Sequence, residues 1–459
     1  MVKRSVGKLG PSLVIAGVMG CNVSSPPHNT GGVVLDGGGQ TMGGSSPDAA
    51  PDTGSVAESG EAGTDGAPSI DAGEGGGAPV CPGALSVVCT DYTTTNIEIA
   101  GLDGTMLSGS FVSSGSTATG LTTALSGDVV VPYVAPPSSN VVLIDQGNNV
   151  ITWMNLSSAA VVGQLDVSTG FDSDPYDYIE TDASHAYVCR YQTNASPGNQ
   201  MYDQGGDLLI LDTSNRSITG RIAMPEENAA LTPSPAAMNW IGSDVVVTLQ
   251  RFSSDFTQVG DGRFVGVSPT SNAIAWTVNI TGLQNCGRVY VSPSGTTGAI
   301  ACSGQPSMSS GGGTAYAASG SDIVLYDLTR SPPAETKRFG LGTSLDAGLQ
   351  PTLTFANETT ILGLTFGGDV TPGDTAFALD VTSGTTTQLL SETMEATLTG
   401  PYCLPGCNDI CLVTDSEANA IRRWQFAPGA DGGTTFTATS NESVDPTVGL
   451  PPVQLGYLR

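Results

Sequence analysis

The chain has two histidines among 459 residues, and His28 sits in a Gly/Ser/Pro-rich stretch, so His185 is the imidazole available to a folded site. Acid–base chemistry near neutral pH would need His185 beside a carboxylate. Its setting, TDASHAYVC, is a turn leading into a strand, which favours a surface role. The most acidic short run is Phe171-Asp172-Ser173-Asp174-Pro175-Tyr176-Asp177-Tyr178. Asp172, Asp174 and Asp177 offer a hard-oxygen set suited to Ca²⁺ together with backbone carbonyls. The spacing is not that of an EF-hand loop and Pro175 interrupts it, so a solvated loop is the competing reading. Gly367-Gly368-Asp369 through Gly373-Asp374 repeats the theme more weakly. The sequence contains no C-x-x-C-H, H-E-x-x-H or G-x-S-x-G pattern, so it marks no haem attachment, zinc-protease or serine-hydrolase chemistry.

Cysteine is the other reactive type. Residues 1–21, MVKRSVGKLGPSLVIAGVMGC, open with Lys3, Arg4 and Lys8 and continue into an apolar run from Leu9 to Val18. That run is too short for a membrane-spanning helix, which needs about 20 apolar residues, and fits a secretory signal. Val18-Met19-Gly20-Cys21 resembles a bacterial lipobox, although Met19 stands where a small residue is usual. The resemblance implies that Cys21 is lipidated and becomes the mature N-terminus. Asn22 follows it, and the lack of Asp at that position leans towards the outer rather than the inner membrane.

Eight cysteines remain, an even number in an exported chain where disulfides are allowed. Cys286 and Cys302 flank a hairpin around an SPSG turn and are expected to face each other. Cys81 and Cys89 would close a short loop at the start of the folded region. Cys403, Cys407 and Cys411 crowd one inter-strand region, and Cys189 is either a buried free thiol or a partner for one of that trio. The C-x3-C-x3-C spacing has no nearby His and matches no zinc ribbon, so the trio reads as structural disulfide rather than metal.

Composition limits the elements that hold these groups. Formal net charge is −28, yet only 13% of residues are charged and Lys plus Arg number 15. A nucleic-acid surface is excluded by that shortage of cations. Residues 22–80 contain no Lys, Arg or aromatic residue and read as a disordered tether. The folded domain is then 81–459, an all-β region rich in tight turns.

Within it a strand–turn–strand grammar recurs. SVVCTDYTTTNIEIAGLD, AYVCRY with GDLLILD, VVVTLQR with RFVGVS, AIACSG with SDIVLYD, and ILGLTFG with TAFALD are copies. VVVPYVAPPSSNVVLID and CLVTDSEANAIRRWQF are two more. Further runs before and after each pair make a unit of four short antiparallel strands, apolar on both faces, which must stack against its neighbours. Seven such units predict a β-propeller with seven four-stranded blades. The tail Pro452 to Leu458 is an orphan apolar run, expected to complete the first copy, which begins at its second strand. Trp153 in NVITW and Trp276 in NAIAW are read as matching blade positions, with Trp424 in NAIRRW as a further packing residue. Trp240 in AAMNWIGSD stands outside that pattern and is the better candidate for a surface role.

The strand pairs VPYVAPPSSNVVLID and CLVTDSEANAIRRWQF resemble YVTN-type propeller repeats. That resemblance implies the propeller fold over residues 85–459 and fixes no activity. The expected protein is a lipid-anchored, monomeric module of the bacterial cell envelope that binds a protein or glycan. The alternative is a lactonase-like propeller hydrolase or lyase using His185 with a carboxylate at the central opening. A quinone- or haem-dependent dehydrogenase is a weaker third reading. No cofactor is implied beyond the Ca²⁺ candidates.

Overall fold

The computed structural model describes residues 83–459, apart from 103, 309–313, 317–319, 342–344, 346, 368–372, 405–409, 429–433 and 444–448. Cys21, the tether, Cys81, Asp369 and Cys407 lie outside the described residues.

Seven four-stranded antiparallel sheets form the blades of a propeller ring. Blades 2 to 7 each start at the axis and step outward in chain order. The inner strands are Val129–Val130 in blade 2, Pro175–Glu180 in blade 3, Pro235–Ile241 in blade 4 and Tyr290–Val291 in blade 5. They continue with Leu349–Phe355 in blade 6 and Leu398–Cys403 in blade 7. Blade 1 is closed by the tail: Pro452–Leu458 pairs antiparallel with Ala84–Thr90, Leu85 opposite Tyr457 and Val87 opposite Leu455. An orphan apolar run thereby supplies the inner strand of the one blade that begins without it, so all seven sheets have four strands.

The core is a set of seams. Seven hydrophobic clusters each lie between two neighbouring blades, such as Val142, Ile144, Tyr178 and Leu209 between blades 2 and 3. Every blade face is therefore buried against another blade, which is why second and third strands such as Thr360–Thr365 are buried at every position. Outer strands meet water and turn polar, as in Ala334–Phe339, AETKRF.

Turns are built by one repeated device. Asp145, Asp212, Asp380 and Asp415 end strands, and each accepts a backbone N–H from the turn that follows, at 2.9–3.0 Å. Four residues on, the chain enters the left-handed region at Asn149, Arg216, Gly384 and Asn419. Asn and Gly tolerate that conformation best, so an Asn or Gly ahead of the next apolar run is the sequence signature of the hairpin.

That device also explains one misreading of the repeat. Six strand pairs read from the sequence are second and third strands, but VVVPYV with NVVLID is the inner and second strand of blade 2. Trp153 accordingly lies on the third strand of its blade and Trp276 on the outer strand of blade 4, so they do not occupy matching places. Both still pack seams, Trp153 against Tyr178 and Trp276 against Phe264.

Candidate functional site

The inner strands carry polar clamps that join neighbouring blades. Gln454 of blade 1 takes the N–H and donates to the carbonyl of Val131 in blade 2. Gln350 of blade 6 donates to the Leu398 carbonyl of blade 7, and Thr399 of blade 7 to the Val453 carbonyl of blade 1. Asn239 of blade 4 donates to the Val289 carbonyl of blade 5, and Glu180 of blade 3 accepts from Ser138 of blade 2. Blades 5 and 6 approach so closely that a Cβ at Gly287 would collide with the Pro351 carbonyl.

At the axis these clamps converge on one cluster. Arg288 of blade 5 donates to Asp177 of blade 3 at 2.7 Å and also to the Met238 carbonyl of blade 4. Asp177 accepts the Met238 N–H at 2.7 Å. The Arg288 guanidinium lies 4.5 Å over the Tyr133 ring, which reaches in from blade 2. Tyr133 packs edge-on to Tyr290 at 5.2 Å and against Tyr402 at 5.1 Å, and Tyr402 stacks on Tyr457 at 6.4 Å. Arg288 and Asp177 are buried, as are Tyr290, Tyr402 and Tyr457, while Tyr133 is partly exposed. Burial opposes the charge on Arg288, but Asp177 outweighs it and raises its pKa above the ordinary arginine value. Burial pushes the Tyr133, Tyr290 and Tyr402 phenols up, so all stay neutral across the physiological range. The result is an axial plug: Arg288 and Asp177 are paired in place and walled by phenols.

Sequence reasoning missed this cluster. Its signal is a Tyr recurring in or just past the inner strands, as PYV, VYV, PYC and GYL around Tyr133, Tyr290, Tyr402 and Tyr457.

The residues singled out from the sequence fall elsewhere. His185 opens the second strand of blade 3, half exposed, on the face where inner strands end. Its Nδ1 lies 2.8 Å from Asp182, and Ser184 beside it accepts the N–H of Thr213 in the next turn of the same blade. Asp182 is held down to about 2 by the Ser184 N–H and by His185. His185 is thus part of a blade-edge turn, not of the axial cluster.

The acidic run does not converge. Asp177 is spent on Arg288 and Met238, whereas Asp172 accepts from Asn149 at 3.0 Å on the opposite face from His185. Asp174 has burial and the nearby Asp128 and Asp172 charges against it and is pushed up to about 8. Asp128 rises to about 6, through burial and then Asp145. Among the described residues no group of three acidic, His or Cys side chains is arranged to hold a metal ion. Asp374, in the second acidic loop, accepts from the N–H groups of Ala396, Thr397 and Leu398 and is a structural anchor. Trp240 lies on the inner strand of blade 4, partly buried against the seam between blades 3 and 4.

The cysteines sort clearly. Cys286–Cys302 and Cys403–Cys411 are disulfides, each tying an inner strand to its second strand. Cys189 is a buried free thiol, one of the two alternatives for it. Cys89 is also a buried free thiol, so the expected Cys81–Cys89 loop is not formed. Cys89 sits in a strand interior beside Glu98, and burial drives its pKa far up.

The chain is a seven-bladed β-propeller in which an ion pair and tyrosines from several blades meet beside the axis. No protein-family model matches it, and no curated protein sequence does. Solved structures match the fold. The periplasmic gluconolactonase of Pseudomonas aeruginosa superposes with a TM-score of 0.52 at 11% identity, over 82% of this chain and 99% of that one. A protein from Lactobacillus plantarum gives 0.51 at 10% identity, over 82% and 99%. A candidate 6-phosphogluconolactonase from Bacteroides uniformis gives 0.50 at 11% identity, over 82% and 100%. At these identities the likeness is one of fold.

Proposed function

We propose that this protein is a lipid-anchored module of the bacterial envelope whose propeller binds a neutral or basic partner, a protein or a glycan, without turning it over. The observation that carries the reading is the axial plug. Its charged groups already satisfy one another, and the folded region's one His stands outside it. Converging acid–base groups with free valences are what propeller hydrolysis would need. A net charge of −28 sets the sign of the partner. Panels of neutral glycans and of basic peptides, titrated calorimetrically at low and high salt, test this. Binding that weakens with salt supports the reading, and binding of acidic ligands alone opposes it.

Anchorage rests on the lipobox. Cys21→Ser is expected to move the protein from the membrane to the soluble fraction, and continued pelleting would oppose a lipid at Cys21.

A second reading has one observation in its favour. Sugar lactones are anionic or strongly polar, and Arg288 with Asp177 and Tyr133 is a polar set on the axis of a fold shared with a gluconolactonase. On that reading Asp177 and Arg288, rather than His185, would carry the chemistry.

A further inference from the structure

Two blades are tied at the axis by more than backbone hydrogen bonds. Cys286–Cys302 lies in blade 5, just ahead of Arg288 and Tyr290. Cys403–Cys411 lies in blade 7, adjacent to Tyr402. These are the blades whose inner strands supply three of the axial side chains. The bonds span 16 and 8 residues, so they restrict the unfolded chain less than a long-range bond would, and they also fix local geometry.

The two bonds differ in access. Cys286, Cys302 and Cys411 are fully buried, whereas Cys403 is partly exposed. An attacking thiolate needs access to the bond, and Cys403 is the one of these four residues that is not fully buried. Cys403 is also wired to the plug. Its N–H donates to the Thr354 hydroxyl at 3.2 Å. Tyr133 packs on Tyr402, the residue next to Cys403.

We propose that Cys403–Cys411 is a thiol-sensitive lock on the axial plug: a dithiol reductant opens it while Cys286–Cys302 stays closed, and opening releases Tyr402 and Tyr133. The dithiol supplies two electrons and two protons. The S–S bond breaks, Cys403 and Cys411 become thiols, and the reductant closes into its own cyclic disulfide. In an oxidising envelope the lock is closed.

The test uses the full chain under native conditions with dithiothreitol. Alkylation and mass spectrometry report which cysteines open, far-UV circular dichroism reports the fold, and spectrophotometric titration reports the phenols. Cys403 and Cys411 should be alkylated first, with the strand signal kept, and Tyr133 and Tyr402 should then titrate near the ordinary tyrosine value of about 10. The doubly substituted Cys403→Ser, Cys411→Ser chain should show the same released phenols without reductant. Opening of Cys403–Cys411 with the phenol titration unchanged would overturn the proposal. So would a bond that opens only as the strand signal is lost.

Discussion

Arg288 and Asp177 lie 111 residues apart in the chain and meet at 2.7 Å beside the axis. Both are almost fully buried, so each depends on the other to stay charged. Arg288→Met should therefore cost about 3–5 kcal/mol in urea unfolding, because it strands Asp177. Adding Asp177→Asn should recover part of that loss, and strictly additive losses would mean that the pair is not coupled. Asp174 gives the pH counterpart. Its folded value of about 8 exceeds the ordinary Asp value near about 4, so the folded state binds the proton more tightly. Its stabilisation is complete below about pH 4 and is lost as pH rises to 8. Asp174→Asn should flatten stability across that window, and an unchanged slope would show that Asp174 is not its source. The cysteine pair Cys286 and Cys302 was legible because a single hairpin places both. The axial cluster was less so: a Tyr recurs blade by blade, but the members meet only when separate blades close the ring, and nothing in that recurrence pairs Arg288 with Asp177.

Among the elements, the hairpins were the most readable part. Apolar runs divided by Asp, Ser and Gly, with an Asn or Gly opening the next run, reflect turn carboxylates and left-handed residues. The same device occurs between second and third strands and between third and outer strands, as at Asp145 and Asp212. It marks a tight turn without marking which turn of the blade. That is why blade 2 is read one strand out of phase, and why Trp153 and Trp276 look equivalent. The strand Pro452–Leu458 carries its own expectation. It supplies the Gln454 clamp to Val131 and accepts from Thr399 through Val453. Deleting residues after Pro451 removes both and exposes Leu85, Val87 and Tyr402 in the blade 7–blade 1 seam. The loss should be several kcal/mol out of a margin of roughly 5–15, lowering the melting temperature sharply. Melting at the full-length temperature would contradict closure by this strand.

For the whole molecule, the ring follows from its sheets. Blades apolar on both faces cannot stand alone, and seven seams bury all of them. The ring brings seven inner strands to one axis, where a fold of this kind offers its most enclosed polar groups. Here those groups are an ion pair and tyrosines already engaged with one another, and this is the basis for reading the protein as a binder. The most direct measurement is a turnover screen of the purified protein against sugar lactones, esters and glycosides, with Asp177→Asn and His185→Ala alongside. The binding account predicts no turnover by any of the three. Hydrolysis by the unaltered chain that disappears in either variant would contradict it, and the variant that loses activity would locate the chemistry at the axis or at the blade edge.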